Sequence, residues 1–122
     1  MSTSCRHYNS TFFCSFKLYN NFGDIVIIGG SSSHDLASHV ARELGEEVSY
    51  VETKKFPDGE RYLRIGGQIE DEVVVIQSTG YPQDENLMEL LFMISTLKDL
   101  GVKKVRVVVP YLGYARQEKR FN

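Results

Sequence analysis

The sequence DIVIIGGSSSHDLASHVARELGEEVSYV, residues 24–51, decides the fold class of this chain. Its opening run of β-branched residues is typical of a strand that is buried on both faces. The glycine–serine run after it predicts a tight turn, in which Ser32 caps a helix whose apolar residues recur at helical spacing as far as Gly45. A second strand at 48–51 completes a strand–helix–strand unit, which indicates an α/β protein.

The remainder of the chain continues this alternation after one interruption. FPDGE at 56–60 contains a turn signal and precedes a short apolar strand, so we expect a hairpin that projects from the sheet. Strands predicted at 73–76 and 105–109 flank a helix that Asp84 caps and Gly101 ends. The predicted apolar stripe of that helix consists of Leu87, Leu90, Leu91, Ile94 and Leu97. The pattern predicts a parallel sheet with flanking helices.

Residues 1–23 differ in composition from the rest of the chain, because they contain no Asp or Glu and are rich in Ser, Asn, Tyr and Phe. We expect a disordered or loosely docked extension here, followed by a domain at 24–122. Cys5 and Cys14 have no partners at zinc-finger spacing. A disulfide between them is an alternative that the expected cytoplasmic location disfavours.

Length and charge narrow the function classes. A chain of 122 residues is long enough for one small domain. Its net charge of −2 and its pI of about 5.9 provide no general field for attracting nucleic acid or an anionic membrane. The apolar runs fall short of the roughly 20 residues that a membrane span needs. We therefore expect a protein that binds neither nucleic acid nor membrane, and that holds any anionic ligand with a local cluster of bases.

Three segments follow the carboxyl ends of predicted strands, where open α/β sheets bind ligands. The turn at 29–33 precedes a helix N-terminus and suits a phosphate, although ordinary strand–helix junctions share its composition. Arg116, Lys119 and Arg120 could hold a polyphosphate, or simply form a solvated surface. The loop at 56–60 presents an aromatic ring that can stack on a base, or serve as the hydrophobic anchor of a turn.

Taken together and in order, these segments resemble one family. The landmarks are GGSSSHDLA at 29–37, FPDGERYLRI at 56–65, ENLMELL at 85–91 and PYLGYARQEKR at 110–120. They are similar to the N-terminal domain of ribose-phosphate pyrophosphokinases, and the resemblance covers about residues 24–122. It implies an incomplete N-terminal, ATP-binding domain of a duplicated phosphoribosyltransferase-like fold, and a transferase that makes phosphoribosyl pyrophosphate from ATP and ribose 5-phosphate with Mg²⁺.

The resemblance also assigns roles to residues. Phe56 is expected to stack on adenine, with Asp58, Gly59 and Glu60 beside the nucleoside. Arg116 and Gln117 are expected to complete the ATP site, with the arginine on the phosphates. In this family the hairpin is lent to a neighbouring subunit, so a homo-oligomer with a shared ATP site is implied. Ser78 and Thr79 lie where some members build an allosteric phosphate site.

The main departure from the family concerns what residues 1–122 do not contain. The magnesium-binding histidine, the catalytic lysine and arginine, and the acidic loop for ribose 5-phosphate have no counterpart here, so we expect no catalytic residue and no metal ligand within this chain. The chain alone is then expected to be inactive. Two alternatives stay open: a non-catalytic binding or regulatory module that associates with synthetase subunits, and a gene fragment.

Overall fold

The computed structural model describes residues 2–8, 11–17 and 25–116. The strands and helices are β1 Ser2–Tyr8, β2 Thr11–Lys17, β3 Ile25–Gly29, α1 His34–Leu44, β4 Glu47–Lys55, β5 Arg61–Ile65, β6 Glu72–Ile76, α2 Gln83–Asp99 and β7 Lys104–Val108. β1 and β2 pair as a separate antiparallel sheet. The expectation of disorder for residues 1–23 therefore differs from the two strands described there.

The main sheet has five strands in the order β5-β4-β3-β6-β7. β3 pairs in parallel with β4 and β6, and β6 pairs in parallel with β7. β5 alone is antiparallel, because it returns from β4 through the tight FPDGE turn. The predicted parallel sheet is thus confirmed for four strands, and the predicted hairpin forms one of its edges.

Helices cover both faces of this sheet, and the alternation of side chains along β3 shows how. Val26 and Ile28 pack with Leu90, Met93 and Leu97 of α2. Ile27, on the opposite face, packs with Ala37 and Ala41 of α1. Burial on both faces explains why β3 and β6 are apolar runs and not alternating polar and apolar sequences.

Several local predictions need correction. The N-cap position of α1 is Ser33 and not Ser32, and neither hydroxyl caps the helix, because both are engaged with Gln77 or Ser78 in the segment after β6. The N-cap of α2 is Pro82, so Asp84 lies in the first turn, where its charge favours the helix dipole without capping it. Leu91 was placed in the buried stripe but is 51% exposed. Gly45 does end α1, in the left-handed conformation expected of a C-terminal glycine.

Gly30 is required where the turn after β3 meets the core. A Cβ atom at this position would overlap the side-chain amide of Gln77 and lie 3.1 Å from Cε of Met93. The turn therefore passes directly over the end of β6. In the described part of the chain, neither helix is long and apolar enough to cross a membrane.

Candidate functional site

The candidate site lies at the carboxyl edge of the sheet, where β3, β4, β6 and β7 all end. The loop at 56–60 is a compact turn with its own hydrogen bonds. Gly59 N–H donates to the Phe56 carbonyl at 2.9 Å, and Phe56 N–H donates to the Glu60 carbonyl at 2.8 Å. Gly59 has a φ of 94°, which favours glycine. Glu60 N–H donates to Oδ1 of Asp58 at 3.0 Å, so one carboxylate oxygen of Asp58 holds the turn.

The side chains of this loop face solvent. Phe56 is 48% exposed, and its ring meets the ring of Tyr62 edge-on with centroids 6.3 Å apart. Asp58 and Glu60 are exposed. A single T-shaped contact covers at most one face of the Phe56 ring and leaves the other open to a planar ligand, and the two carboxylates can accept hydrogen bonds beside it. The structure thus brings together three of the residues predicted to bind the nucleoside.

Two carboxylates of α2, one helical turn apart, face the base of this loop. Glu89 is fully buried and accepts hydrogen bonds from the N–H of Ser31 at 2.8 Å and from the hydroxyl of Ser31. Arg61, the first residue of β5, donates from Nη1 to Glu89 at 3.2 Å and from Nη2 to Glu85 at 3.3 Å. A buried carboxylate with several donors around it is electrostatically satisfied.

The second carboxylate also binds the residue before the loop. Lys55, at the end of β4, donates to Glu85. The hydrogen bond and charge of Lys55 lower the pKa of Glu85, and Arg61 adds to this effect while desolvation opposes it. Both residues that flank the loop at 56–60 are therefore ion-paired to the same face of α2.

Gln77 forms a second buried connection behind the site. Its side-chain oxygen accepts the hydroxyl of Ser32 at 2.8 Å, and its side-chain nitrogen donates to the Asn86 carbonyl at 3.4 Å. The hydroxyl of Ser32 also reaches the Ser78 carbonyl at 2.7 Å. These bonds tie the turn after β3 to the segment between β6 and α2, which explains why polar side chains occupy buried positions here.

An open, polar cleft of about 500 Å³ lies between the hairpin, the turn after β3 and the start of α2. Its lining consists of Ser31, Ser32, Thr53, Lys54, Lys55, Arg61, Tyr81, Pro82, Glu85 and Asn86. Among the described residues predicted to bind ATP, none lines this cleft, which reaches only Lys55 and Arg61 on either side of the loop at 56–60.

Ser78 and Thr79 differ in what they offer a ligand. Thr79 is buried, and its hydroxyl donates to the Tyr111 carbonyl at 3.1 Å and accepts the N–H of Gly113 at 2.8 Å. It therefore holds the segment that leads from β7 to Arg116. Ser78 is half-buried and lines a second cleft of about 390 Å³ beside the start of α1. The proposed phosphate site stays a prediction, and the geometry favours Ser78 over Thr79 for it.

Arg116 is exposed in the turn after β7, whereas Gln117 lies outside the described residues. β7 and the β4–β5 hairpin are at opposite edges of the sheet. With strands about 4.8 Å apart, β4 and β7 are separated by roughly 14 Å and β5 and β7 by roughly 19 Å. Within one chain, the strand that leads to Arg116 and the hairpin that carries the loop at 56–60 are thus separated by the width of the sheet.

Sequence reasoning missed the buried polar residues. The sequence analysis assigned no role to Glu89 or Asn86, and both are buried. Glu89 recurs with the apolar positions Leu90, Met93 and Leu97 on the inner face. A charged residue at such a position needs a buried partner, and the pairing with Arg61 depends on the hairpin folding back over the helix. No local pattern shows that contact.

The described residues contain no group of three or more His, Cys, Asp or Glu side chains that is placed to bind a metal ion such as Mg²⁺. The acidic residues nearest the site are engaged with cations, since Glu85 and Glu89 pair with Lys55 and Arg61. The residues here do not fit a metal centre on their own.

Comparison with known proteins identifies relatives over most of the chain. Residues 25–122 match a family model described as the N-terminal domain of ribose phosphate pyrophosphokinase. The ribose-phosphate pyrophosphokinase of Methanobrevibacter smithii is 79% identical over 97 residues, which are 80% of this chain and 33% of that protein. The enzyme of the same name from Methanothermobacter thermautotrophicus is 64% identical over 97 residues, 80% of this chain and 34% of that protein.

Solved structures agree on the fold. The crystal structure of phosphoribosylpyrophosphate synthetase from Mycobacterium smegmatis aligns with a TM-score of 0.73 and 31% identity, covering 80% of this chain and 33% of that one. A purine phosphoribosyltransferase from Pyrococcus horikoshii aligns with a TM-score of 0.53 and 22% identity, over 72% of this chain and 63% of that one, which shows a shared fold. The chain spans about a third of the length of the curated relatives that it matches.

Proposed function

Because the chain belongs to the ribose-phosphate pyrophosphokinase family, we propose that it supplies the ATP-binding part of an enzyme that makes phosphoribosyl pyrophosphate. In this reaction the C1 hydroxyl oxygen of ribose 5-phosphate attacks the β-phosphorus of ATP. The bond between that phosphorus and the oxygen bridging to the α-phosphorus breaks, and AMP leaves. The hydroxyl proton passes to a base that lies outside the residues of this chain.

In this proposal the loop at 56–60 binds the nucleoside. Phe56 stacks on the adenine ring, and Asp58 and Glu60 accept hydrogen bonds from it or from the ribose hydroxyls. The half-exposed ring, held edge-on by Tyr62, supports this role because binding does not require the loop to rearrange. Gly59 permits the positive φ that closes the turn between the two carboxylates.

Arg116, with Gln117 beside it, binds the phosphates of the same nucleotide. The guanidinium fork suits phosphate oxygens, and its charge offsets the negative charge that the transferring group carries. Mg²⁺ would neutralise the phosphates as well, bound by the nucleotide and by residues beyond those described. Ser78, beside the start of α1, is the better placed of the two residues proposed for a regulatory phosphate.

One observation supports a shared site above all. The loop at 56–60 and Arg116 emerge from opposite edges of the sheet. A bound ATP that contacts both residues within one chain would have to bridge the strands between them. Two copies of the chain, each offering one edge to the other, bring the two halves of the site together without deformation. We therefore propose a cytoplasmic homo-oligomer in which each ATP lies between subunits.

A chimaera tests the proposal directly. Residues 25–122 replace the matching segment of the Methanobrevibacter smithii enzyme, at 79% identity, and AMP release is followed with ATP, Mg²⁺ and ribose 5-phosphate. We expect turnover that depends on ribose 5-phosphate. A folded chimaera without such turnover would contradict the proposed activity.

Mixing variants of this chimaera tests the shared site. Phe56→Ala and Arg116→Ala chimaeras are each expected to be weakly active, and are unfolded, mixed and reassembled together. If each site combines the loop of one subunit with the arginine of another, about a quarter of the sites regain both residues. If both residues act within one chain, no site regains both, and the mixture stays as inactive as its components.

A further inference from the structure

The two residues that flank the loop at 56–60 are both held by α2. Lys55 precedes the loop and pairs with Glu85, and Arg61 follows it and pairs with Glu85 and Glu89. We propose that Glu85 and Glu89 form a clamp that fixes the position of this loop, with Glu89 as its anchoring residue. The consequence for nucleotide binding rests on the function proposed above, whereas the clamp itself does not.

Glu89 can act as an anchor because burial and hydrogen bonds fix the position of its carboxylate. It is fully buried, and it accepts from both polar groups of Ser31 as well as from Arg61. Leaving any of these donors unpaired in the interior is unfavourable, so the carboxylate has one arrangement that satisfies all of them. Since Ser31 belongs to the turn after β3, the anchor is connected to the central strand of the sheet.

Arg61 transmits this position to the loop. Its side chain is 13% exposed, and its two terminal nitrogens contact different carboxylates, Nη1 on Glu89 and Nη2 on Glu85. A planar guanidinium bound at both ends has little rotational freedom. Arg61 directly follows Glu60, so the exit of the loop is fixed at a single point over α2.

The entry of the loop is held more weakly. The Lys55–Glu85 pair is solvent-exposed, and such pairs contribute little when they stand alone. Glu85 is shared with Arg61, however, so the lysine joins a network whose other members are already ordered. Together these contacts bracket the loop from both sides.

The loop needs such support because it contributes nothing to the core. Every residue from 56 to 60 is exposed. The hydrogen bonds given above for it are internal to the turn, so they define its shape but not its direction. The orientation of Phe56 relative to the sheet is therefore set at Lys55 and Arg61.

Glu72 offers a matched control for a purely structural role. It too is a buried carboxylate with an arginine partner, Arg106 at 2.9 Å, and with Lys104 at 3.6 Å. It begins β6 and therefore lies at the amino edge of the sheet, away from the loop. Glu72→Gln removes a comparable ion pair from the same domain without touching the clamp.

The test is amide hydrogen exchange by NMR on the full chain, comparing wild type, Glu89→Gln and Glu72→Gln. Glutamine keeps the shape of the side chain but presents a donor to groups that already donate. In Glu89→Gln we expect the protection of the Phe56 and Gly59 amides to fall by at least about tenfold, while the β7 amides change little. Glu72→Gln should lower the protection of the β7 amides and leave that of the Phe56 and Gly59 amides nearly unchanged. Unchanged loop protection in Glu89→Gln, or an equal loss across loop and sheet, would overturn the clamp.

If Glu89→Gln does not fold, variants of the more exposed residues Lys55 and Glu85 test the clamp instead. Lys55→Gln and Glu85→Gln should each lower loop protection. Their double variant should be no looser than Glu85→Gln alone, because that single change already removes the Lys55–Glu85 contact together with the Arg61–Glu85 contact. Fully additive effects would show that Lys55 and Glu85 act independently, and that no such network holds the entry of the loop.

Titration with MgATP separates the clamp from the function. Followed at the Phe56 and Gly59 resonances, Glu89→Gln should raise the dissociation constant of wild type roughly threefold or more, since a loop that is less often in position binds less. A loosened loop with unchanged ATP affinity would refute the positioning role. A wild-type chain whose loop is protected but whose loop resonances ignore ATP would count against the proposed function and leave the clamp intact.

Discussion

Replacing Phe56 by alanine removes the only aromatic side chain of the loop at 56–60. Stacking of a base on an aromatic ring contributes about 1–3 kcal/mol by alanine substitution. Since each 1.4 kcal/mol corresponds to a factor of ten, the affinity for ATP should fall by roughly 5- to 150-fold. The ring is half exposed and touches Tyr62 by its edge, so one face is free and the lower part of this range, near tenfold, is expected.

The position of Phe56 outside the core limits how much Phe56→Ala should destabilise the fold. Phe56 belongs to neither cluster of buried core residues. Its loss removes one edge-on aromatic contact, which is worth about 0.5–1.5 kcal/mol. Burial of about half of the side chain adds roughly 1 kcal/mol, so the free energy of unfolding measured in urea should fall by no more than about 2–3 kcal/mol.

The assay is steady-state kinetics on the chimaera described above. Phe56→Ala should raise the KM for ATP about tenfold and leave the KM for ribose 5-phosphate near that of the parent. Phe56→Tyr keeps the ring and serves as the matched control, with a KM for ATP within about twofold of the parent. An unchanged KM for ATP in Phe56→Ala, or an equal rise for both substrates, would refute the stacking role.

Four further perturbations follow from the structure. Arg116→Ala should remove a charged hydrogen bond worth about 1.5–3 kcal/mol and lower kcat/KM for ATP at least about tenfold, with partial recovery in Arg116→Lys because the fork is lost; full recovery would mean that a point charge suffices. Gly30→Ala forces a methyl group against the amide of Gln77, so urea unfolding should show a loss of about 1–3 kcal/mol, and wild-type stability would contradict this packing. Lys55 lowers the folded-state pKa of Glu85 below its ordinary 4.5. The ionised Glu85 therefore stabilises the fold fully above pH 4.5, and this stabilisation disappears as pH falls through the folded-state pKa. Glu85→Gln should reduce the acid sensitivity of unfolding, and a pH profile identical to that of wild type would exclude the effect. Residues 1–122 alone should release no AMP from ATP and Mg²⁺ in response to ribose 5-phosphate, and sustained turnover would show that this chain carries the catalytic groups.

Much of the secondary structure of the domain can be predicted from the sequence, because the composition of each strand, turn and helix end indicates its own burial and conformation. A strand covered by helices on both faces must be apolar along its whole length, so β3 and β6 are recognisable without any knowledge of their neighbours. Gly45 and Gly101 end their helices in left-handed conformations that few other residues adopt. The FPDGE turn has the same local character, since its hydrogen bonds join residues within the turn.

The tertiary structure decided what depends on residues distant in the chain. Neither the hydroxyl of Ser32 nor that of Ser33 caps α1, because Ser32 is engaged by Gln77 and Ser33 by Ser78, each 45 residues away. Leu91 is exposed and Glu89 buried, since burial on α2 follows from where the hairpin and the turn after β3 meet the helix. Periodicity describes one helix at a time and contains no information about a cation supplied by another element.

The same distinction applies to the site. The sequence by itself offered the aromatic and acidic turn and the arginine after the last strand as candidates for binding a nucleotide, and the family resemblance assigned their roles. Only the order of strands in the sheet placed Arg116 and the loop at 56–60 at opposite edges. Strand order is set by packing between segments far apart in the chain, so no local sequence pattern gives the relative position of these two segments.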